Sequence, residues 1–287
     1  MDKTGLLFAA PALILCFILF GYPIFYNFYL SFFRLNLISS PEASFIGLDN
    51  YLSVITDSTF YNSLYNTVFF TVLSVLFEFI GGLVLALLLS KIKARWMGIL
   101  AAVCMIPMFL SEVIEGIVGK FLFSPRIGFV NALTESLFGI TIPWLTNYRL
   151  AMWTIVFVDA WKMLPFFLII FLAAILSIPK EMSEAMSLDG ASNLQQIRYL
   201  IIPYMLPVFV VSTVIRSIDA FTKVFGVVYL MTGGGPGLAT DVIPLRIFNL
   251  ALRAFHWGKA ATWGVFAFII SIFLVVIYIY VNRRWNP

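Results

Sequence analysis

Charged residues are scarce in this chain of 287 residues. Asp, Glu, Lys and Arg make up 11% of the sequence, whereas hydrophobic residues make up 62%. An ordinary soluble domain carries about 25% charged residues. With a mean hydropathy of +1.00, most of the surface must be solvated by lipid rather than by water.

Residues for metal or covalent chemistry are also few. His256 is the only histidine, and Cys16 and Cys104 are the only cysteines, each inside an apolar run. This composition excludes histidine-based catalytic triads and multi-histidine metal sites, and it leaves no material for a disulfide framework. We therefore predict no catalytic residues and no metal site.

A phosphate-binding loop is missing from the sequence as well. No Gly-x-x-x-x-Gly-Lys-Ser/Thr pattern occurs, and the glycine-rich run from Gly233 to Gly237 has no lysine after it. Glycine and proline in a segment that follows a helix mark a bend more often than a ligand cradle. We expect any ATP used by this protein to bind to another subunit.

The net charge of +4 does not indicate a nucleic-acid partner. The Lys and Arg residues are scattered at the ends of apolar runs rather than clustered on one face. This distribution is typical of the loops of a membrane protein, with the lipid bilayer as the partner.

Six apolar stretches are long enough to cross a bilayer, which takes roughly 20 residues of helix. They predict an all-α polytopic protein in which residues 1–287 form a single membrane domain. The first stretch is too long for a cleaved signal and is expected to remain as an anchor. The six stretches are 6–33, 64–89, 98–121, 150–177, 200–228 and 262–281.

The orientation follows from short basic segments at the ends of the predicted spans. Lys91, Lys93 and Arg95 form a tight cluster, and Arg283 and Arg284 follow the last span. Because cationic residues next to a span favour the cytoplasm, we expect both termini to be cytoplasmic in a multi-pass protein of the cell membrane. The extracellular loops are then about 34–63, 122–149 and 229–261.

The loop of residues 178–200 would then be cytoplasmic, and its sequence is unlike that of a passive connector. Pro179 opens a short helix, Gly190 breaks it, and Ser192 to Gln195 has the capping-box pattern that starts a second helix. Pro203 and Pro207 follow at the start of the fifth span, where they are tolerated and can kink the helix.

Within loop 178–200 and just after it, the sequence resembles a known family. Glu184-Ala185-Met186, Asp189-Gly190-Ala191 and the run from Arg198 to Pro203 resemble the EAA signature of binding-protein-dependent ABC importer permeases. Met186 and Ile202 depart from the usual residues but keep an apolar side chain.

Three further segments resemble carbohydrate-uptake permeases of the maltose and glycerol-3-phosphate type. They are Ile46 to Tyr51, Asn62 to Thr67, and Met231 to Pro236 with Thr240. The glycine-rich third segment is typical of the first of two paired permeases. The similarity covers nearly the whole chain and implies a type I ABC importer permease fold.

The resemblance implies a set of partners and a role for loop 178–200. The partners would be a second, homologous permease in a heterodimer, two ATP-binding subunits that hold ATP and Mg²⁺, and an extracellular solute-binding protein. No cofactor would bind to this chain itself. The residues implied in coupling to the ATPase are Glu184, Ala185, Asp189, Gly190, Ala191, Arg198 and Pro203.

Charged residues inside predicted spans are costly and are candidate functional residues. Asp159 and Lys162 are three apart, as are Arg216 and Asp219. Two interpretations are open for each pair: it neutralises itself on one helix face, or it lines the path. Glu78 has no local partner and must pair across helices, meet water or stay protonated.

Two more acidic residues, Glu112 and Glu115, lie near the outer end of the third predicted span. At that depth a carboxylate can reach the interface along its own stem. We therefore expect both side chains to reach the membrane–water interface in this way.

A sugar offers hydroxyl groups at its edges and C–H groups on its faces, so its site needs polar side chains beside aromatic rings. The fourth and fifth spans provide this mixture, and the alternative is that their aromatic residues belong to ordinary packing. The candidate path residues are Asp159, Trp161, Lys162, Asp219, Phe221 and Lys223.

Other functions remain open at the level of sequence. An ABC permease for another solute, such as an amino acid or glycerol-3-phosphate, fits the same features. An ion-coupled secondary transporter fits less well because no internal repeat is seen. A membrane-embedded enzyme lacks the required constellation of histidines or paired carboxylates.

Overall fold

The computed structural model of the protein describes the backbone of residues 3–38 and 40–285, and the side chains of residues 8, 10–38 and 42–276. The predicted orientation rests in part on Arg283 and Arg284, whose side chains lie outside this range. The α-helices are α1 Lys3–Cys16, α2 Tyr22–Ser31, α3 Asp49–Ile55, α4 Ser58–Leu89, α5 Ala94–Met105, α6 Glu112–Leu122, α7 Phe129–Phe138, α8 Ala151–Leu176, α9 Lys180–Leu188, α10 Asn193–Gln196, α11 Ile202–Lys223, α12 Phe225–Met231, α13 Ile243–Phe248 and α14 Trp257–Trp285.

Short irregular turns join several of these helices. The turns Phe17–Gly21, Ile197–Ile201 and Asn249–Arg253 are π-helical, and Ile106–Phe109 is a 3₁₀ turn. The strands β1 Phe33–Asn36 and β2 Ser40–Phe45 pair as an antiparallel hairpin.

Five helices of the described chain are long and apolar enough to cross a membrane. These helices confirm the first, second, fourth, fifth and sixth predicted spans, with boundaries shifted by a few residues. They are Ala10–Ser31, Ser58–Leu89, Ala151–Leu176, Asn193–Lys223 and Trp257–Val276.

The third predicted span is not one straight helix. Ala94–Phe109 and Glu112–Leu122 pass the same test only together, and they are bent by 94° at the break between them. Pro107 stands in the 3₁₀ turn, and Leu110 is extended with ψ 133°. Because proline lacks the amide hydrogen that a continuous helix requires, the first helix ends here and a new one begins in another direction.

The chain divides into two compact units. One unit comprises the chain up to Asn62 together with Ile243–Ile270. Within it, the Asn50 side-chain amide donates to the carbonyl oxygens of Ser31 and Phe33, both at 2.9 Å. The indole of Trp263 is fully buried against Phe60. These contacts fix the hairpin and α3 to the helices beside them.

The other unit comprises Ser63–Val242 and the chain from Ser271 onward. Its core is α8, whose side chains Phe167 and Phe171 are fully buried. Both rings contact Phe79 of α4, at centroid distances of 5.7 and 5.1 Å. Gly82 lies directly against Phe167, because a Cβ added at Gly82 would lie 2.5 Å from the Cβ of Phe167. The small residue thus allows α4 and α8 to approach closely.

Candidate functional site

The bend in the third span places two carboxylates at the start of α6. Ser111 caps this helix by accepting a hydrogen bond from the Ile114 amide at 3.3 Å. Glu112 and Glu115 follow in its first turn, where the positive end of the helix dipole favours negative charge. Glu115 is 1% exposed, so the break in the span buries a carboxylate inside the second unit.

Arg216 of α11 is the centre of an ion-pair network. Its Nε lies 2.8 Å from Glu78 Oε2, and its Nη2 lies 2.8 Å from Glu78 Oε1. The same Nη2 donates to Asp159 Oδ2 at 2.6 Å. Arginine suits this position because its planar guanidinium presents five donors in a fixed geometry. One residue thereby connects α4, α8 and α11.

The network continues toward the end of α11. Arg216 Nη1 lies 3.1 Å from Asp219 Oδ2, and Lys223 Nζ lies 2.6 Å from Asp219 Oδ1. The Lys223 side chain is 63% exposed, whereas that of Arg216 is 2% exposed. The chain of alternating charges therefore runs from a buried junction to an open end.

Glu115 forms a buried ion pair outside the Arg216 network. Lys162 Nζ of α8 lies 2.5 Å from Glu115 Oε2, and both side chains are buried. The prediction that Glu115 reaches the membrane interface is therefore wrong. The Asp159–Lys162 pairing is also wrong, because Arg216 binds Asp159 from another helix and leaves Lys162 to Glu115.

For Arg216 and Glu78 the structure shows which of the alternatives holds. Arg216 does bind Asp219 three residues further on the same helix. Glu78 does pair across helices, with Arg216. A sequence shows which charges must be compensated, but it does not show which neighbouring helix provides the partner.

All of these charged residues except Glu78 line a cavity of about 610 Å³ in the second unit, named here the charged cavity. Apolar side chains such as Phe70, Met108, Met163 and Phe166 form much of the remaining wall. The charged residues at the wall are Glu112, Glu115, Asp159, Lys162, Arg216, Asp219 and Lys223.

Four of the six candidate path residues lie at this cavity: Asp159, Lys162, Asp219 and Lys223. The other two do not line it, since Trp161 is 48% exposed on another side of α8 and Phe221 is buried in the packing of α11. The sequence reasoning missed Glu112 and Glu115 as wall residues, and it left open whether Arg216 lines the path or only neutralises Asp219. Their signal was their charge within apolar runs, which alone does not tell which face they occupy.

Loop 178–200 has the predicted helix, turn and helix. Gly190 ends α9 with φ +78°, a left-handed conformation that glycine adopts without strain. Ser192 and Gln195 form the capping box with both reciprocal hydrogen bonds. The second helix is not separate, however, because it continues through a π-helical turn into the fifth span as one helix, Asn193–Lys223.

The residues implied in coupling lie mostly on the surface of this loop and the start of the fifth span. Ala191 is half-buried. Two large apolar side chains beside them are also uncovered, since Leu188 is 89% exposed and Leu194 74% exposed. Six of the residues implied in coupling are exposed: Glu184, Ala185, Asp189, Gly190, Arg198 and Pro203.

The glycine-rich segment forms a compact turn. Gly233, Gly234 and Gly237 all have positive φ. The hydroxyl of Thr240 donates to the carbonyl of Gly235 at 2.8 Å and lies 2.7 Å from the hydroxyl of Thr232. This geometry fits the interpretation of the glycine run as a bend.

Comparison with protein families gives a match over most of the chain. Residues 78–286 match the family described as "Binding-protein-dependent transport system inner membrane component". The matched range includes every charged residue of the cavity and all of loop 178–200.

Individual relatives align over nearly the full length. The probable ABC transporter permease protein YurN of Bacillus subtilis is 34% identical over 93% of this chain and 92% of its own length. The trehalose/maltose transport system permease protein MalF of Thermococcus litoralis is 32% identical over 98% of this chain and 94% of its own.

A solved structure supports the same fold. One chain of a bacterial ABC transporter involved in the import of the acidic polysaccharide alginate has a TM-score of 0.83 and 26% sequence identity. The alignment covers 99% of this chain and 97% of the other.

Proposed function

Because the chain belongs to the family of binding-protein-dependent transport system inner membrane components, we propose that it forms one half of the translocation path of an ATP-driven importer for a sugar. A second, homologous permease provides the other half. The observation that carries this proposal is the charged cavity, a space of about 610 Å³ with seven charged residues at an otherwise largely apolar wall.

The wall of the charged cavity suits a hydroxyl-rich solute. Carboxylates and ammonium groups accept and donate hydrogen bonds, and Phe70 and Phe166 add aromatic faces against which the C–H groups of a sugar can pack. We assign Asp159, Lys162, Asp219 and Lys223 to the path on this basis. Relatives named for trehalose/maltose and for alginate transport support a saccharide.

Loop 178–200 is proposed as the surface that docks on an ATP-binding subunit. The exposed Leu188 and Leu194 give it the apolar contact area that a solvated connector would avoid. Glu184 stands exposed on α9 beside them and would meet a cationic side chain of the ATPase. ATP and Mg²⁺ would be held there, and movement of α9 would pass through Gly190 into the fifth span.

The remaining partners follow from the same arrangement. Loop 178–200 must face the cytoplasm to reach an ATPase, so both termini are cytoplasmic if the bent third segment crosses the membrane. The loops around 34–63, 122–149 and 229–261 then face outward, where a solute-binding protein would deliver the sugar.

The test is co-purification of the tagged chain from native membranes. We expect a second permease, an ATP-binding subunit and the solute-binding protein to be recovered with it. Glu184→Lys should reduce recovery of the ATP-binding subunit at least fivefold at equal membrane abundance, since charge reversal at a desolvated contact costs several kcal/mol. Glu135→Lys, a matched reversal at an exposed residue of α7, should leave recovery of the ATP-binding subunit unchanged. Equal recovery in both variants would contradict the docking role.

A further inference from the structure

The charged cavity carries information about the charge of the solute, which the relatives leave undecided. Resting on the proposed function, we propose that this cavity accepts an uncharged sugar and rejects an anionic one. Glu115 Oε1 is the acceptor for a sugar hydroxyl, and Lys162 holds the carboxylate in position for it.

The first observation is an oxygen atom without a partner. Glu115 is 1% exposed and lines the cavity. Lys162 binds the Oε2 atom of Glu115. The Oε1 atom of Glu115 is buried and makes no hydrogen bond within the described chain. Buried polar atoms in proteins are nearly always hydrogen-bonded, so an unpaired carboxylate oxygen on a residue that lines the cavity is a site for a donor group, which a turn of the side chain would bring to the solute. A sugar hydroxyl provides such a donor, whereas a carboxylate or phosphate ligand does not.

The second observation is that every cation at the wall is already bound to a carboxylate. Lys162 pairs with Glu115, Lys223 with Asp219, and Arg216 with three carboxylates. An anionic sugar would therefore have to break an existing ion pair to gain one. Most of these pairs are buried, where loss of one partner is costly.

The third observation is the balance of charge at the wall. Carboxylates outnumber cations by four to three: Glu112, Glu115, Asp159 and Asp219 against Lys162, Arg216 and Lys223. An anionic ligand in this low-dielectric space is repelled by the excess of carboxylates, and such like-charge repulsion is an effective means of excluding a wrong ligand. An uncharged sugar avoids this repulsion and can still donate to Glu115.

Equilibrium dialysis of the purified complex, with both permeases and both ATP-binding subunits but without the solute-binding protein, tests the inference directly. The neutral probes are trehalose, maltotriose and cellotriose, and the acidic probes are trigalacturonate and trimannuronate. We expect at least one neutral probe to bind at least tenfold more tightly than either acidic probe. Acidic binding equal to or tighter than neutral binding, or no binding of any probe, would overturn the proposal.

Two variants separate the role of Glu115 from a merely structural one. Glu115→Gln keeps the shape but removes the charge, so the affinity for the neutral probe should fall about tenfold. The affinity for the acidic probes should rise, because Lys162 loses its anionic partner. Glu112→Gln should also lower the ratio of neutral-probe affinity to acidic-probe affinity, because it removes a negative charge that repels the acidic probes. Glu135→Gln, the matched change outside the cavity, should leave the ratio at the wild-type value.

The outcomes distinguish this inference from the proposed function. A structural defect at Glu115 would lower the affinity for both classes of probe together, and parallel loss would overturn the assignment of Glu115. A complex that assembles and transports yet prefers acidic probes would refute only the charge selectivity. A chain that never recovers an ATP-binding subunit would instead contradict the proposed function.

Discussion

Arg216 and Glu78 form an ion pair with two parallel contacts of 2.8 Å, although 138 residues separate them in the sequence. The pair connects the fifth span to the second, and both side chains are almost fully buried. Such a pair is strong evidence for the relative position of the two helices, since neither charge has water available as a substitute partner.

Removal of Arg216 should therefore destabilise the fold. Arg216→Met leaves Glu78 as a buried, unpaired charge, and breaking a pair of this kind costs about 3–5 kcal/mol. Lys223→Met is the control, because its side chain is 63% exposed and an exposed pair contributes at most about 1 kcal/mol. The thermal unfolding midpoint of the purified complex should fall clearly for the first variant and little for the second. Equal midpoints in the two variants would show that the Arg216 network does not hold the helices together.

The close approach of α4 and α8 makes a second prediction. A Cβ at Gly82 would lie 2.5 Å from the Cβ of Phe167, whereas a Cβ at Gly98 would have no atom within 4 Å. Gly82→Ala should cost about 1–3 kcal/mol through overpacking, and Gly98→Ala should be neutral or slightly stabilising because alanine favours a helix. The thermal unfolding midpoint of the purified complex tests this prediction. A Gly82→Ala variant as stable as Gly98→Ala would be inconsistent with this packing.

Gly190 allows the turn in loop 178–200 to be tested by backbone conformation alone. Its φ is +78°, and a Cβ placed there has open space around it, so only backbone strain distinguishes the substitutions. Asn tolerates the left-handed region, Ala pays about 1–2 kcal/mol, and Pro cannot adopt it. Uptake per ATP hydrolysed should fall in the order Gly, Asn, Ala, Pro. An Ala variant that performs better than Asn would argue against a left-handed turn at this position.

The contribution of Asp57, at the start of the second span, to the stability of the fold should depend on pH. Burial alone would raise the pKa of Asp57, but hydrogen bonds from Thr59 and Lys259 outweigh it and lower the pKa below its ordinary value of 3.8. The stabilisation of the fold by ionised Asp57 is therefore fully present above about pH 4, and it disappears as the pH falls through the lowered pKa. Asp57→Asn should be less stable than wild type at pH 7, by at most about 1 kcal/mol for this partly exposed pair. The difference should shrink toward pH 3, and a constant difference would contradict the assignment.

Much of the fold follows from the sequence because its signals are local. Twenty apolar residues in a row predict a span whatever lies beside it, and Ser192 with Gln195 predicts a helix start from four consecutive residues. Gly190 likewise predicts its own left-handed turn. Each of these features depends on residues close together in the chain.

The parts that the sequence did not predict depend on distant residues. Glu115 lies 47 positions from Lys162, and nothing near either residue indicates the other. The 94° bend that brings Glu115 inside was hidden because Pro107 sits in a run that is apolar on both sides. Hydropathy measures whether a segment prefers lipid, but it does not measure whether the segment is straight.

Uptake into proteoliposomes tests the proposed function most directly. Vesicles containing this chain, its partner permease and the ATP-binding subunit should accumulate a labelled neutral sugar only when ATP is inside and the solute-binding protein is outside. Vesicles without this chain should accumulate none, and the chain purified alone should hydrolyse no ATP. Accumulation that persists without the ATP-binding subunit, or ATP hydrolysis by the single chain, would show that this protein is not a permease subunit driven by a separate ATPase.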